Sequence, residues 1–232
     1  MEERRLKLTV AQEQNVGVLL RRELNCSAAV VRTAKQYPDG ILLDGRHVTT
    51  ADTARPGQVL SILISDRESG DLEPAPGPVD IVYQDEDLLI LNKAPGVAVH
   101  PSPGHHADTL GNFLTDYYKK REAPFVFRPV NRLDAGTSGL MVAAKDAHVH
   151  ALLSKSLHSG DFVRKYLAVA EGIVEPEQGR IDAPIARAPG SAIARCVSPE
   201  GQRAVTDYRV IQNNGRVSLV ELLLETGRTH QI

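Results

Sequence analysis

Three short segments of the chain concentrate polar residues where an apolar run begins or ends. Residues 91–106 carry one lysine, three prolines and three histidines. Residues 128–140 carry an Arg-Leu-Asp triplet followed by glycine and hydroxyl residues, and residues 222–232 run from an apolar strand into Thr-Gly-Arg-Thr-His. Because active-site residues often lie in loops at the ends of rigid elements, these segments are where we expect chemistry.

Asp134 is the acidic residue of the second segment, two positions after Arg132. An aspartate that a nearby cation keeps ionised can act as a nucleophile or as a general base. A solvated turn with an Arg–Asp charge pair would give the same pattern, since such surface pairs are common. The residues alone leave both interpretations open.

Motifs of other enzyme classes do not fit these segments. Residues 136–140 place leucine where a nucleophile elbow needs its second glycine, and neither a dinucleotide fingerprint nor a phosphate-binding Gly-Lys-Ser/Thr loop occurs. The pairs His105–His106 and His148–His150 do not share a helical face, so we assign them surface or capping roles. The sequence predicts no metal and no organic cofactor.

Short helices and strands must position these segments. Apolar periodicity and capping residues predict helices over residues 16–24, 28–34, 110–117 and 146–157. Alternating apolar runs and turn residues predict strands over residues 41–43, 59–64, 80–83, 88–91, 140–144, 166–170, 204–211 and 217–225. Hairpins outnumber crossover units, which favours an α+β fold with a mainly antiparallel mixed sheet and flanking helices.

Composition limits the classes of protein to which the chain can belong. It has 232 residues, 42% hydrophobic and 24% charged, with 27 Lys and Arg against 29 Asp and Glu and therefore a net charge of −2. With aromatics at 4%, this composition disfavours a protein that coats nucleic acid by bulk charge and stacking. Two distant cysteines and the lack of a signal peptide or membrane span indicate a cytoplasmic protein.

Four motifs in order resemble those of one enzyme family. Residues 131–140 resemble the signature His-Arg-Leu-Asp-x-x-Thr-Ser-Gly-Leu of the RluA/RluD family of pseudouridine synthases. Residues 92–101 and 226–232 resemble two further family motifs, and residues 164–168 resemble its Lys-x-Tyr-x-Ala strand. Asn131 stands where the family has histidine, and we expect this to alter a loop hydrogen bond more than the chemistry.

The resemblance implies a pseudouridine synthase fold and an isomerase that converts uridine to pseudouridine in ribosomal or transfer RNA without a cofactor. By resemblance, Asp134 is the catalytic carboxylate, which either attacks the anomeric carbon or removes a sugar proton. Arg228 would pair with it, and Tyr166 would stack on a uracil flipped out of the RNA. Arg132 would fill the space that the base leaves.

Further residues would contact RNA around this centre. Lys93 and His100 would lie near the pocket as structural or RNA-facing groups. The N-terminal region resembles the RNA-binding domain named after the fourth small-subunit ribosomal protein. Its candidate phosphate contacts are Arg21, Arg22, Arg32, Lys35 and Arg46. A solvated helix face explains these cations equally well, because acidic residues are interspersed.

The glycine- and proline-rich residues 66–78 predict the division of the chain. We expect an RNA-binding module over 1–68, a linker over 69–78 and a catalytic domain over 79–232. That domain is expected to be C-terminally incomplete, because family members continue past Thr-Gly-Arg-Thr-His-Gln-Ile. We expect a monomer whose partner is RNA, with no metal and no membrane. The alternatives are a non-catalytic RNA-binding or ribosome-assembly factor, and a hydrolase that uses Asp134 with Ser138 or His230.

Overall fold

The structure, a computed structural model, describes residues 3–191 and 193–232. Within these ranges it has four α-helices and sixteen β-strands. The helices are α1 (Val16–Arg22), α2 (Ala28–Ala34), α3 (Leu110–Lys119) and α4 (Ala147–Ser159). The strands are β1 (Arg5–Thr9), β2 (Gln14–Asn15), β3 (Ile41–Leu43), β4 (Arg46–His47), β5 (Thr53–Ala54), β6 (Val59–Leu63), β7 (Ile81–Gln84), β8 (Leu88–Lys93), β9 (Arg128–Pro129), β10 (Gly139–Ala144), β11 (Arg164–Glu171), β12 (Gln178–Asp182), β13 (Ile185–Arg187), β14 (Arg195–Val197), β15 (Val205–Asn213) and β16 (Val217–Leu224).

The chain divides into two compact units, Met1–Lys155 and Ser156–Ile232. The first sheet of the first unit has the strand order β1-β6-β3-β4, and α1 and α2 pack on its apolar core. Asn15 and Ser27 cap these helices, accepting hydrogen bonds from Val18 N and Val30 N. Both helices lie where the sequence predicts them. The strand β1 is an addition to the prediction.

The second sheet of the first unit carries two of the three polar segments. Its strands follow the order β7-β8-β10-β9, and its core includes Leu91, Leu114 and Met141. Strands β8 and β10 are antiparallel, with Lys93 opposite Gly139. The chain leaving β8 and the chain entering β10 therefore meet at one end of the sheet. This register brings residues 91–106 and 128–140 together.

Residues 66–80, all of them described, contain no helix or strand, but they are bonded along their length. The Arg128 guanidinium binds both carboxylate oxygens of Asp66, at 2.5 and 2.8 Å. Gly70 N donates to the Phe125 carbonyl at 3.0 Å, and Asn112 Nδ2 donates to the Glu73 carbonyl at 2.8 Å. The segment is therefore an anchored extended chain.

Arg4, just before β1, joins the N-terminal sheet to the rest of the first unit. Its guanidinium pairs with Asp87 in the β7–β8 turn and with Asp146 at 2.6 Å. The Asp146 carboxylate is 2% exposed and also accepts hydrogen bonds from His148 N and Val149 N, which caps α4. One buried carboxylate thus serves both a helix end and an ion pair. We call the contacts of Arg4 with Asp87 and Asp146 the Arg4 clamp.

The second unit is built on an antiparallel sheet of order β11-β16-β15-β12, with β13 and β14 forming a separate hairpin. The predicted turn between β15 and β16 is present, with Gly215 at φ 82° and Asn214 Oδ1 accepting from Val217 N. The strand pairs within both units' sheets are antiparallel, which confirms the predicted α+β class with a mainly antiparallel sheet. No helix in the described ranges has the length and apolarity needed to cross a bilayer.

Candidate active site

Asp134 lies on an exposed turn that follows two buried residues, Asn131 and Leu133. In residues 131–134, Asn131 and Leu133 are buried, whereas Arg132 and Asp134 are exposed. Because side chains of an extended segment alternate between two sides, Arg132 and Asp134 face the same side. The Asp134 carbonyl accepts a hydrogen bond from Thr137 N at 3.0 Å, which closes the turn. The loop therefore exposes the Arg132 cation and the Asp134 carboxylate on one side.

Asn131 forms a hydrogen bond within this loop. Its Oδ1 accepts from Val142 N at 2.9 Å, beside the bond from Val130 N to the Val142 carbonyl at 2.7 Å. The amide thus fastens the segment before Asp134 to β10. The bond involves the backbone of β10 and the buried side chain of Asn131.

Lys93 is the residue that ties the two polar loops together. Its side chain is 1% exposed, and its Nζ donates to the carbonyls of Ala94 (2.9 Å), Val97 (2.8 Å) and Ala135 (3.0 Å). The Ala135 carbonyl also accepts from Gly96 N at 2.8 Å, where Gly96 has φ 82°. All three ammonium protons are used inside the fold. Of the two roles predicted for Lys93, this burial favours the structural one over direct RNA contact.

Electrostatic effects link Lys93 and His100 to the exposed pair. Burial lowers the pKa of Lys93, and the negative charge of Asp134 partly opposes that shift. Burial also lowers the pKa of His100, and the positive charge of Arg132 lowers it further. The His100 ring packs on Phe127 with centroids 4.9 Å apart. The first unit therefore gathers four of the predicted site residues into one loop cluster.

The second unit carries Tyr166 and Arg228. Tyr166 lies on β11 opposite Leu222 of β16, and Arg228 lies in the loop that follows β16. Arg228 is exposed, its backbone N donates to Gln231 Oε1 at 2.8 Å, and its Nε donates to the Arg203 carbonyl at 2.8 Å. These bonds hold the backbone of Arg228 and the Nε of its side chain within the loop.

Two polar side chains fold the loop that displays Arg228. Thr226 Oγ1 accepts from Val205 N at 2.7 Å, and Gln231 Nε2 donates to the Val205 carbonyl at 3.0 Å and to Thr206 Oγ1 at 2.9 Å. The side chains of Thr226 and Gln231 therefore stabilise the loop.

The sequence analysis did not predict Arg164 as a site residue. It is the first residue of β11 and lies in the motif that contains Tyr166.

Three of the five N-terminal cations line one cleft. Arg21, Arg32 and Lys35 surround a cavity of about 300 Å³ beside Gly17 and Thr50. Arg22 and Arg46, the other two predicted phosphate contacts, do not line it.

Two acidic residues of the N-terminal region, Asp39 and Asp44, are bonded within the fold. Asp39 pairs with Arg67, and Asp44 accepts from Val59 N and from the Gln58 amide. In the described part of the chain, no three His, Cys, Asp or Glu residues form a group able to hold a metal ion.

Comparison with known proteins gives a consistent set of relatives. Residues 87–232 match the family model described as RNA pseudouridylate synthase. The Bacillus subtilis (strain 168) protein named uncharacterized RNA pseudouridine synthase YjbO is 37% identical over 211 residues, which are 90% of this chain and 75% of that protein. The ribosomal large subunit pseudouridine synthase D of Escherichia coli (strain K12) is 39% identical over 180 residues, 76% of this chain and 54% of the relative.

Solved structures agree with the sequence relatives. Human RNA pseudouridylate synthase domain containing 1 superposes with a TM-score of 0.54 at 25% identity, covering 71% of this chain and 64% of that one. Human RNA pseudouridylate synthase domain containing 4 gives a TM-score of 0.51 at 28% identity, covering 66% and 61%. The match spans both polar loops of the first unit and the Arg228 loop of the second.

Proposed function

Because the chain belongs to the RNA pseudouridylate synthase family, we propose that Asp134 is the catalytic carboxylate of its uridine-to-pseudouridine isomerisation. In this reaction the bond from the sugar to N1 of uracil breaks, and a bond from the same sugar carbon to C5 forms. The C5 hydrogen leaves as a proton and N1 gains one, so no atoms are gained or lost overall. The carboxylate acts either as a nucleophile at the sugar or as a base toward a sugar proton.

The observation that carries this assignment is the construction of the Asp134 turn. An exposed carboxylate is held on a short turn whose next carbonyl, that of Ala135, is gripped by the buried Lys93 ammonium and by Gly96 N. A reacting group needs such fixed geometry, since misplacement by about an ångström can cost a large factor in rate. A solvated surface turn needs no buried cation behind it.

We propose roles for the remaining residues from this premise. Arg132, which faces the same side as Asp134, enters the RNA where the flipped base leaves. For Arg228 we propose the role that the family resemblance implies, as the partner of the catalytic carboxylate, since a guanidinium can hold both carboxylate oxygens. Tyr166 stacks on the flipped uracil. Its place on the regular strand β11 gives the ring a fixed backbone.

The substrate we propose is large-subunit ribosomal RNA, the substrate named for the Escherichia coli relative, with transfer RNA as the predicted alternative. We propose that the N-terminal region, residues 1–68, grips this RNA as a module resembling the domain of the fourth small-subunit ribosomal protein. Residues 69–78 would connect it to the catalytic region over 79–232. The cleft of Arg21, Arg32 and Lys35 supports this role, because three cations around one cavity suit phosphates.

Release of tritium from C5 of uridine tests the proposal. The substrates are in vitro transcripts of large-subunit ribosomal RNA and of transfer RNA, each labelled at C5. We expect wild type to release tritium and Asp134→Asn to release none. Asp71→Asn, which makes the same change at another exposed aspartate of the first unit, should behave as wild type.

The outcomes separate the alternatives. Tritium release that persists in Asp134→Asn contradicts the catalytic assignment. Tight RNA binding without release from any transcript favours a non-catalytic RNA-binding or assembly factor.

A further inference from the structure

Arg164 lies at the start of β11, two residues before Tyr166, and is half-buried. Its Nη2 donates to the Glu225 carbonyl at 3.1 Å, at the end of β16. Its Nε is buried and has no hydrogen-bond partner among the described residues. A guanidinium has five N–H donors, so Arg164 has donors beyond the one that binds the Glu225 carbonyl.

Gly227 explains how this side chain reaches the Arg228 loop. A Cβ built on Gly227 would lie 2.2 Å from Arg164 Nη1, which is closer than any real contact. The guanidinium therefore occupies the space that the missing side chain leaves, immediately before Arg228 in the chain. The glycine of the Thr-Gly-Arg sequence thus makes room for a second cation beside Arg228.

The charges around Arg164 are not balanced within its own unit. Burial lowers the pKa of Arg164, the positive charge of Arg228 lowers it further, and Tyr166 opposes the shift. Glu225, whose carbonyl accepts the hydrogen bond from Arg164, has its own carboxylate bound by Arg180 and Arg203. In residues 156–191 and 193–232, no ion pair joins Arg164 or Arg228 to a carboxylate.

We propose that Arg164 binds a backbone phosphate of the RNA next to the uridine that Tyr166 contacts, while Arg228 keeps the role proposed above. This inference rests on the proposed function and extends it with a residue and a ligand group. The positive charge of Arg164 has no paired carboxylate among the described residues of its unit, and RNA supplies one phosphate for every nucleotide. The fork of N–H donors suits phosphate oxygens in pairs.

The test compares variants that each remove one cation from the second unit. Arg164→Ala should weaken binding of the large-subunit ribosomal RNA transcript about tenfold and reduce the slope of log affinity against log salt by about 0.7 to 1. Arg209→Ala is the control, because Arg209 is exposed and its guanidinium is paired with Glu221. We expect its slope to match wild type within error.

Two further variants separate charge from structure. Arg164→Lys keeps the charge and should retain most of the salt slope, while losing part of the affinity because the donor fork is gone. Gly227→Ala displaces the guanidinium with its charge intact and should raise KM more than it lowers kcat. If circular dichroism shows that Arg164→Ala does not fold, Arg164→Gln takes its place in the comparison. Glutamine is an uncharged side chain that is longer than alanine.

The outcomes for this inference differ from those for the proposed function. A salt slope and an affinity in Arg164→Ala or Arg164→Gln equal to wild type overturn the phosphate site. Lack of tritium release by wild type contradicts the proposed function, whereas the salt slopes are measured by binding and do not depend on turnover.

Discussion

Replacing Lys93 by methionine tests the scaffold behind Asp134. The variant removes three hydrogen bonds from a side chain that is 1% exposed, and it leaves an apolar chain of similar length. The Ala135 carbonyl keeps its bond from Gly96 N, whereas the carbonyls of Ala94 and Val97 have no other hydrogen bond in the described structure. An unsatisfied buried carbonyl costs about 1–3 kcal/mol, so two of them cost about 2–6 kcal/mol.

Two effects place the expected loss in the lower part of this range. Ala94 is exposed, so water can satisfy its carbonyl. Burial lowers the pKa of Lys93, which shows that the ammonium itself is held at a cost that methionine does not carry. We therefore expect a loss of about 2–4 kcal/mol in the free energy of unfolding, after allowing for these effects.

Thermal and urea unfolding measure this loss. At about 2–4 °C per kcal/mol for a chain of this size, Tm should fall by about 5–15 °C. Lys120→Met is the matched control, because the Lys120 side chain is 64% exposed and pairs with Asp116 on α3. It should change stability by less than about 0.5 kcal/mol. Equal stability of the two variants would contradict this prediction, because the buried hydrogen bonds of Lys93 would then contribute nothing to stability.

Three other changes probe different parts of the first unit. Asp146→Asn can keep the α4 cap but loses the charge that holds Arg4, so it should destabilise the protein by about 1–3 kcal/mol, measured by urea unfolding. Asp44 has a pKa below its ordinary value of 3.8, chiefly because it accepts a backbone hydrogen bond. Its charge therefore stabilises the fold above about pH 4 and ceases to do so as pH falls through the lowered pKa, so the Tm difference between wild type and Asp44→Asn should shrink below pH 3.8. Arg32→Ala should weaken RNA binding about three- to tenfold in a filter-binding assay, and Arg46→Ala, outside the cleft, should weaken it less.

Local signals in the sequence predicted most of the elements around the site. The helical spacing of apolar residues marks α1, the capping residue Ser27 marks the start of α2, and the Asn-Asn-Gly turn marks the β15–β16 hairpin. Each signal is complete within a few residues. Strand β1 escaped prediction because charged residues alternate with its two leucines, and only pairing with the distant β6 gives them a buried side.

The parts of the candidate site that could not be predicted depend on contacts between distant segments. Nothing in the spacing of residues 91–97 shows that the Lys93 ammonium is buried, because its third acceptor, Ala135, belongs to another loop. In the sequence, Gly227 has the pattern of an ordinary loop glycine. Only the structure shows that the Arg164 guanidinium packs against it. In both cases the sequence gives the type of residue, whereas tertiary packing determines which distant residue it contacts.

The Arg4 clamp has a consequence for RNA recognition if the N-terminal cleft and the Asp134 turn both contact RNA as proposed. The two contact regions lie in one compact unit, joined by Arg4 with its two carboxylates and by an extended segment bonded along its length. Binding at the cleft then sets a high effective concentration of nearby RNA at the turn, because little linker freedom remains to be lost. The fold then fixes the distance between the cleft and the Asp134 turn. An RNA whose two contact points lie at a different distance gains no such avidity.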